Sequence, residues 1–243
     1  MSKLYFFLYL PPEIYVLIIS LSITYILYRK DFFNRAKLRQ RDQIVFEFEK
    51  LGFTQNNKRK DELVHLCAAN DIFKTARKRT GDYSVTNVYT MQSPKAVFTF
   101  FDVSYIAQLE GSNDDYELTT DAQTTLLMEP EIKYVMRMPD FDMVPETLYD
   151  KAVDILVNMD IDFPDSPVFS SLYFLFGEEY NKDRIRRFFR REIRSVFERY
   201  PGMSCLARNG KLFLFQAQKV HDINETSQLL DLAKMLERSM SER

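Results

Sequence analysis

The N-terminal part of the chain contains a long run of apolar residues that ends abruptly in positive charge. Ile14–Tyr28 contains no charged residue, and Arg29 and Lys30 follow directly. A helix that begins at the preceding prolines and ends at Tyr28 is about 26 Å long, at the short end for a bilayer core of about 30 Å. The pattern therefore predicts an N-terminal membrane anchor over residues 1–30, with the lipid bilayer as its first partner.

The charges on either side of this run predict its orientation. Lys3 is the one basic residue that precedes it, whereas the C-terminal flank carries Arg29, Lys30, Arg35, Lys37, Arg39 and Arg41. Positive flanks stay in the cytoplasm, and such cations also lie within reach of anionic headgroups. The sequence thus predicts a single-pass protein of the bacterial inner (cytoplasmic) membrane, with its N-terminus outside and the rest of the chain in the cytoplasm.

After the anchor, the periodicity predicts a basic juxtamembrane helical region over 31–80 and a soluble α+β domain over 81–243. Alternating residues indicate antiparallel strands between about 84 and 137, in a four-strand meander. The predicted strands are Ser84–Thr90, Ala96–Leu109, Gln123–Met128 and Tyr134–Arg137.

The C-terminal part, residues 168–241, reads as strand, helix, hairpin and helix. A strand is predicted over Val168–Phe176, and amphipathic helices over Lys182–Tyr200 and Asp222–Ser241. Asn209-Gly210 between apolar runs is a strong hairpin signal. The predicted fold class is α+β, with an N-terminal transmembrane helix, antiparallel sheet or sheets and amphipathic helices.

Charge is segregated along the chain although the net charge is only −2. Residues 101–180 contain 3 Lys or Arg against 18 Asp or Glu, and residues 181–243 contain 14 against 8. The predicted 182–200 helix has a strongly cationic face. Its candidate anion-binding or partner-binding residues are Arg184, Arg187, Arg190, Arg191 and Arg194.

Two interpretations of this cationic face remain open. It is either an exposed face neutralised by the acidic middle segment, or a surface for an acidic protein partner or anionic lipid headgroups. Nucleic acid is disfavoured, because the pI is about 5.8 and exposed aromatics are not interleaved with the arginines. The sequence does not define an oligomeric state.

Known catalytic and metal-binding motifs do not occur in the sequence. Six glycines leave little room for phosphate-binding loops. The run Asp160, Asp162, Asp165 resembles the start of a calcium loop, but the required Gly and Glu positions hold Asp165 and Ser171. His65 with Cys67, and Cys205 with His221, lack the repeated spacing of a zinc site. No catalytic residue, metal or cofactor is predicted.

Asp102 is the carboxylate with the most informative context, because it lies in an apolar strand next to Phe101. Alternation directs it to the face opposite Phe101. It is either a cross-strand partner for a Lys or Arg, or part of a polar site on a sheet face.

Several short motifs give the chain a family resemblance. They are Leu51-Gly52-Phe53, Val88-Tyr89, the Phe101-Asp102-x-x-Tyr105 strand, Pro201-Gly202 and Asn209-Gly210-Lys211-Leu212. In this order they resemble a group of uncharacterised bacterial single-pass membrane-anchored proteins, across most of residues 40–217. The resemblance implies the architecture and a bacterial origin, and it assigns no catalytic residue.

The function predicted from the sequence is a membrane-anchored, cytoplasm-facing interaction or scaffolding module. The alternative is a membrane-tethered hydrolase or transferase with a non-motif active site around Asp102.

Overall fold

The described part of the chain is an α+β fold built on one antiparallel sheet. The computed structural model describes residues 45–70, 72, 81–110, 116–131, 133, 138–146 and 160–241. The chain divides into two compact units, Met1–Lys50 and Leu51–Arg243. Of the first unit, only a helical segment over residues 45–50 is described. The sheet lies entirely in the second unit.

The predicted fold class requires a correction, because it included a transmembrane helix. Among the described residues, no helix has both the length and the apolar composition needed to cross a membrane. The class is corrected to an α+β domain with one antiparallel sheet, and the predicted single-pass membrane architecture is corrected with it. Ile14–Tyr28, which gave rise to the prediction, lies outside the described residues, as do its flanking cations Arg29, Lys30, Arg35, Lys37, Arg39 and Arg41.

The strands of the described part form a single eight-stranded sheet of order β1-β2-β3-β4-β8-β7-β5-β6. Their bounds are Thr54–Gln55 (β1), Gly81–Gln92 (β2), Ala96–Glu110 (β3), Tyr116–Pro130 (β4), Phe141–Pro145 (β5), Tyr173–Phe176 (β6), Ser204–Arg208 (β7) and Lys211–Phe215 (β8). The strands predicted over 84–90, 96–109 and 123–128 fall within β2, β3 and β4. The predicted strand Tyr134–Arg137 lies outside the described residues.

Local turn chemistry fixes two of the hairpins. Arg208 pairs with Lys211 across Asn209 and Gly210, whose φ angles are 50° and 75°. Two positive φ angles in a two-residue loop match the twist of the flanking strands, which confirms the predicted Asn-Gly hairpin. The β2–β3 turn closes with Gln92 opposite Val97.

Five described helices accompany the sheet within its unit. They are Lys60–Asn70 (α1), Pro167–Leu172 (α2), Lys182–Phe188 (α3), Arg191–Arg199 (α4) and Ile223–Ser241 (α5). The strand predicted over Val168–Phe176 is wrong in its first half, where α2 precedes the short strand β6. Pro167 supplies the fixed φ that favours the first turn of a helix.

The predicted continuous helix Lys182–Tyr200 is also wrong, because it breaks between α3 and α4. Phe189 and Arg190 leave helical geometry, with ψ angles of 49° and 167°. Successive helical residues point about 100° apart. The break lets the rings of Phe188 and Phe189 both contact Phe141, at centroid distances of 5.4 and 4.7 Å. Tertiary packing of these aromatics therefore overrides the helical period.

The core has an aliphatic part beneath α1 and an aromatic part beside α2, α3 and α4. Leu63 and Cys67 of α1 pack with Phe101 of β3 and Phe213 of β8. The aromatic part, called the aromatic cluster below, consists of Phe141, Phe163, Phe169, Tyr173, Phe188, Phe189 and Phe197.

Gly177, directly after β6, allows a close approach of Ile185 from α3. A Cβ atom at Gly177 would overlap Ile185 Cδ1 and would lie 3.4 Å from the Asp140 carbonyl oxygen. Ile185 is completely buried. We expect Gly177→Ala to lower the free energy of unfolding by about 1–3 kcal/mol through overpacking, as measured by chemical denaturation.

Ile185→Val provides the control for this effect, because it removes only the overlapping Cδ1 atom. Alone, it should be destabilising by about 0.5–1.5 kcal/mol. On the Gly177→Ala background it should be neutral or stabilising, since the two changes share one contact. Strict additivity of the two substitutions would contradict the overlap.

Candidate functional site

Three of the five candidate arginines are exposed, and together they are called the arginine surface below. Arg184 and Arg187 are exposed on α3, and Arg191 is exposed at the start of α4. Arg190 lies between the two helices, with its side chain 24% exposed and its Nε 3.4 Å from a Glu192 carboxylate oxygen. Arg190, at the break between α3 and α4, is therefore only partly exposed, whereas the other three arginines are exposed.

Arg194 does not belong to this surface, so the prediction of Arg194 as a binding residue is corrected. Its guanidinium donates two hydrogen bonds to the Asp165 carboxylate, at 2.6 and 2.5 Å, and lies 4.6 Å from the Phe163 ring centroid. Its side chain is only 6% exposed. The Arg194 guanidinium holds the pKa of Asp165 below its usual range. Arg194 thus fixes the 160–166 loop onto α4 instead of binding a partner.

Among the described residues, three carboxylates of the acidic middle segment pair outside α3 and α4, which weighs against the neutralised-face interpretation. Glu129 binds Arg59 at 2.8 Å and also Lys211, while Asp142 binds Arg208. Among the residues that the structure describes, two carboxylates of this segment form ion pairs with α3 or α4. Asp165 pairs with Arg194, and Glu179 pairs with Lys182. Arg184 and Arg191 have no ion pair among the described residues.

Among the described residues, Asp102 lies in a polar network with uncharged partners and pairs with no Lys or Arg, which favours the alternative of a polar site on a sheet face. Its carboxylate accepts hydrogen bonds from Asn87 Nδ2 at 2.7 Å and from Thr124 Oγ1 at 2.6 Å. Thr124 Oγ1 in turn accepts the backbone N–H of His221 at 2.9 Å. A bulge in β2 places Asn87 at φ 53°, a left-handed conformation that Asn tolerates.

His221 comes close to this network in the fold but does not present a base to solvent. Both ring nitrogens are inaccessible and lack a hydrogen-bond partner among the described residues. Burial lowers the pKa of His221, so the imidazole is neutral near pH 7. A general base must come within hydrogen-bond reach of its substrate. The hydrolase or transferase alternative therefore stays a prediction without supporting geometry at this position.

Four of the remaining candidate ligands occupy structural positions. Asp160 accepts the backbone N–H of Leu175 at 2.9 Å, and Asp165 is held by Arg194. Cys67 and Cys205 are buried thiols, and burial raises the pKa of Cys67 to about 12. His65, by contrast, is exposed on α1.

Tyr180 is the surface residue that sequence reasoning missed. It is 78% exposed, in the 3₁₀ turn Glu179–Asn181 that leads directly into α3. Residues spaced by three or four positions share one side of a helical segment, and Tyr180, Arg184 and Arg187 have this spacing. That spacing was the signal that could have found it.

Known proteins give no family for this chain, so the resemblance to bacterial membrane-anchored proteins and the inner-membrane location remain predictions. Comparison with protein-family models, with curated proteins and with solved structures yields no match.

Proposed function

We propose that the chain is a protein-interaction module whose arginine surface binds an acidic segment of a partner protein. The observation that carries this proposal is the exposure of Arg184 and Arg191 without any ion pair among the described residues. Guanidinium groups bind carboxylates through two parallel hydrogen bonds. An acidic segment of the partner would supply carboxylates to Arg184 and Arg191, which the described carboxylates of the chain do not pair with.

The composition of the surface favours a protein over a lipid surface as its partner. Tyr180 adds a large exposed aromatic ring next to the arginines, and Tyr and Arg are the residues that contribute most often to binding energy at protein interfaces. Exposed Asp183 and Glu192 lie among the same cations. A uniformly anionic membrane would repel these carboxylates, whereas a folded or extended partner can place its charges between them.

Charge reversal tests the proposal directly. The triple variant Arg184→Glu, Arg187→Glu, Arg191→Glu should bind a fluorescein-labelled Asp/Glu-rich decapeptide at least tenfold more weakly than wild type, because attraction becomes repulsion. Fluorescence anisotropy at two salt concentrations measures the loss and its screening.

Lys58→Glu is the matched control, since Lys58 is an exposed cation on a different helical turn. It should leave peptide binding within about twofold of wild type. Equal weakening by Lys58→Glu would indicate an effect of net charge alone. Binding of phosphatidylglycerol vesicles, but not of the peptide, with the same dependence on the triple variant would replace the protein partner by a lipid surface.

A further inference from the structure

In the described part of the chain, one edge of the sheet is unpaired next to the bulge of β2. The edge strand β1 pairs only with Tyr89 and Thr90, and Asn56 N–H donates to the Val88 carbonyl oxygen at 2.8 Å. Among the described residues, no strand pairs with the outer edge of β2 over Ser84–Asn87. Up to the bulge at Asn87, Ser84–Thr86 span roughly 10 Å of extended backbone. Free N–H and C=O groups along an edge can receive an additional strand.

An ordered carboxylate lies one strand inward from this open edge. The register places Thr86, Asp102 and Thr124 in one row across β2, β3 and β4. Asn87 Nδ2 and Thr124 Oγ1 each donate to a different oxygen of Asp102. Each oxygen retains acceptor capacity, and Asp102 has no ion pair among the described residues. This part of the chain thus presents a fixed negative charge that no described cation neutralises.

The side chains between the edge and this carboxylate are small. Ser84 and Thr86 are exposed on β2, and Ser104 neighbours Asp102 on the same face of β3. Two strand spacings separate an added strand from β3, roughly 10 Å. A lysine or arginine on the added strand reaches Asp102 across Thr86 without displacing a bulky group.

Charge selects the kind of strand that this edge accepts. Asp82 is exposed on the same face, two positions before Ser84. Pairing with a second copy of β2 would add a second Asp82 and a second Asp102 to an edge that is already negative, which disfavours a second copy as the occupant. We infer that the open edge of β2, together with Asp102, docks an extended basic peptide segment of a partner. This surface is distinct from the arginine surface and opposite to it in charge.

The probe for this inference is a fluorescein-labelled peptide, Thr-Lys-Thr-Lys-Thr-Lys, titrated with the full chain and followed by anisotropy. We expect the peptide to bind, and a matched peptide with Glu at each Lys position to bind at least tenfold more weakly. N-methylation of alternate backbone nitrogens should also weaken binding at least tenfold, because it removes the hydrogen bonds of strand addition.

Variants of the chain test whether the carboxylates beside the β2 edge hold the Lys peptide. Asp102→Asn should weaken binding of the Lys peptide about tenfold, and thermal unfolding must show that the variant remains folded. If Asp102→Asn unfolds, Asp82→Asn replaces it, with a loss of severalfold expected. The charge-reversed arginine variant should bind the Lys peptide at least as well as wild type.

Full binding of the N-methylated peptide would overturn the inference, as would unchanged binding by folded Asp102→Asn. The Lys peptide is basic, and its expected binding does not involve the arginine surface. Failure of this test would therefore not contradict the proposal that the arginine surface binds an acidic partner.

Discussion

Phe189→Ala should lower the free energy of unfolding by about 3–5 kcal/mol. Phe189 is fully buried at the break between α3 and α4. Its ring lies 4.7–6.3 Å, between centroids, from five other rings, which belong to Phe141, Phe163, Phe169, Phe188 and Phe197. Truncation leaves a cavity in the middle of the aromatic cluster, and rings held by three helices, a strand and a loop cannot all move in to fill it.

Urea unfolding measures this effect, and Tyr180→Ala is the control. Tyr180 is an aromatic of the same region that is 78% exposed, so its truncation should change stability by less than about 0.5 kcal/mol. A loss below about 1 kcal/mol for Phe189→Ala would show that the site collapses freely. In that case, packing of the aromatic cluster would not explain the break between the helices.

Asp165→Ala should lower the midpoint of thermal unfolding by roughly 5–15 °C, more than Arg194→Met does. The Asp165 side chain is 71% exposed, but its partner Arg194 is 6% exposed. Removing the carboxylate leaves a buried guanidinium whose Nε already lacks a partner among the described residues. Removing Arg194 instead leaves a carboxylate that water can solvate. Substitution of the exposed residue, Asp165, should therefore destabilise the fold more than substitution of the buried residue, Arg194.

Asp162→Ala is the control for this prediction, since Asp162 is an exposed carboxylate of the same loop. Its unfolding midpoint should stay close to that of wild type. A larger fall for Arg194→Met than for Asp165→Ala would show that the packing of the Arg194 stem and its contact with Phe163, not the buried charge, dominate.

The pH dependence of the same pair has a definite sign. Arg194 lowers the pKa of Asp165 in the folded protein. The stabilisation is therefore complete above the ordinary carboxyl pKa of about 4 and is lost as the pH falls through the lower, folded value. The difference in stability between wild type and Asp165→Ala should accordingly be constant from about pH 5 to about pH 7 and shrink below about pH 4.

The strands and turns with strong local signals were predictable from the sequence. The alternating run from Ala96 and the Asn209-Gly210 turn determine where a strand and a hairpin form, because φ preferences and a period of two act over a few residues. The C-terminal helix, predicted over Asp222–Ser241, is observed as Ile223–Ser241. Each of these elements agrees with its local pattern.

The candidate site was only partly predictable for a related reason. Composition identified the arginines of residues 184–194, but a continuous helix places all of them on its polar face. The sequence therefore did not distinguish the buried arginine from the exposed ones. Arg194 is buried because Asp165 and Phe163, about thirty positions earlier, approach it in the fold. Asp102 likewise acquired its neutral partners from a bulge at Asn87 and from β4, which no local pattern predicts.

The sequence by itself determined the elements with strong local signals, the segregated charge and the cationic character of residues 182–199. Only the tertiary structure decided that Phe189 ends one helix, that β5 lies between β6 and β7 in the sheet, and which arginines face solvent. The physical reason is range: turn and strand preferences act between neighbours in sequence, whereas burial and ion pairing depend on residues brought together from distant parts of the chain.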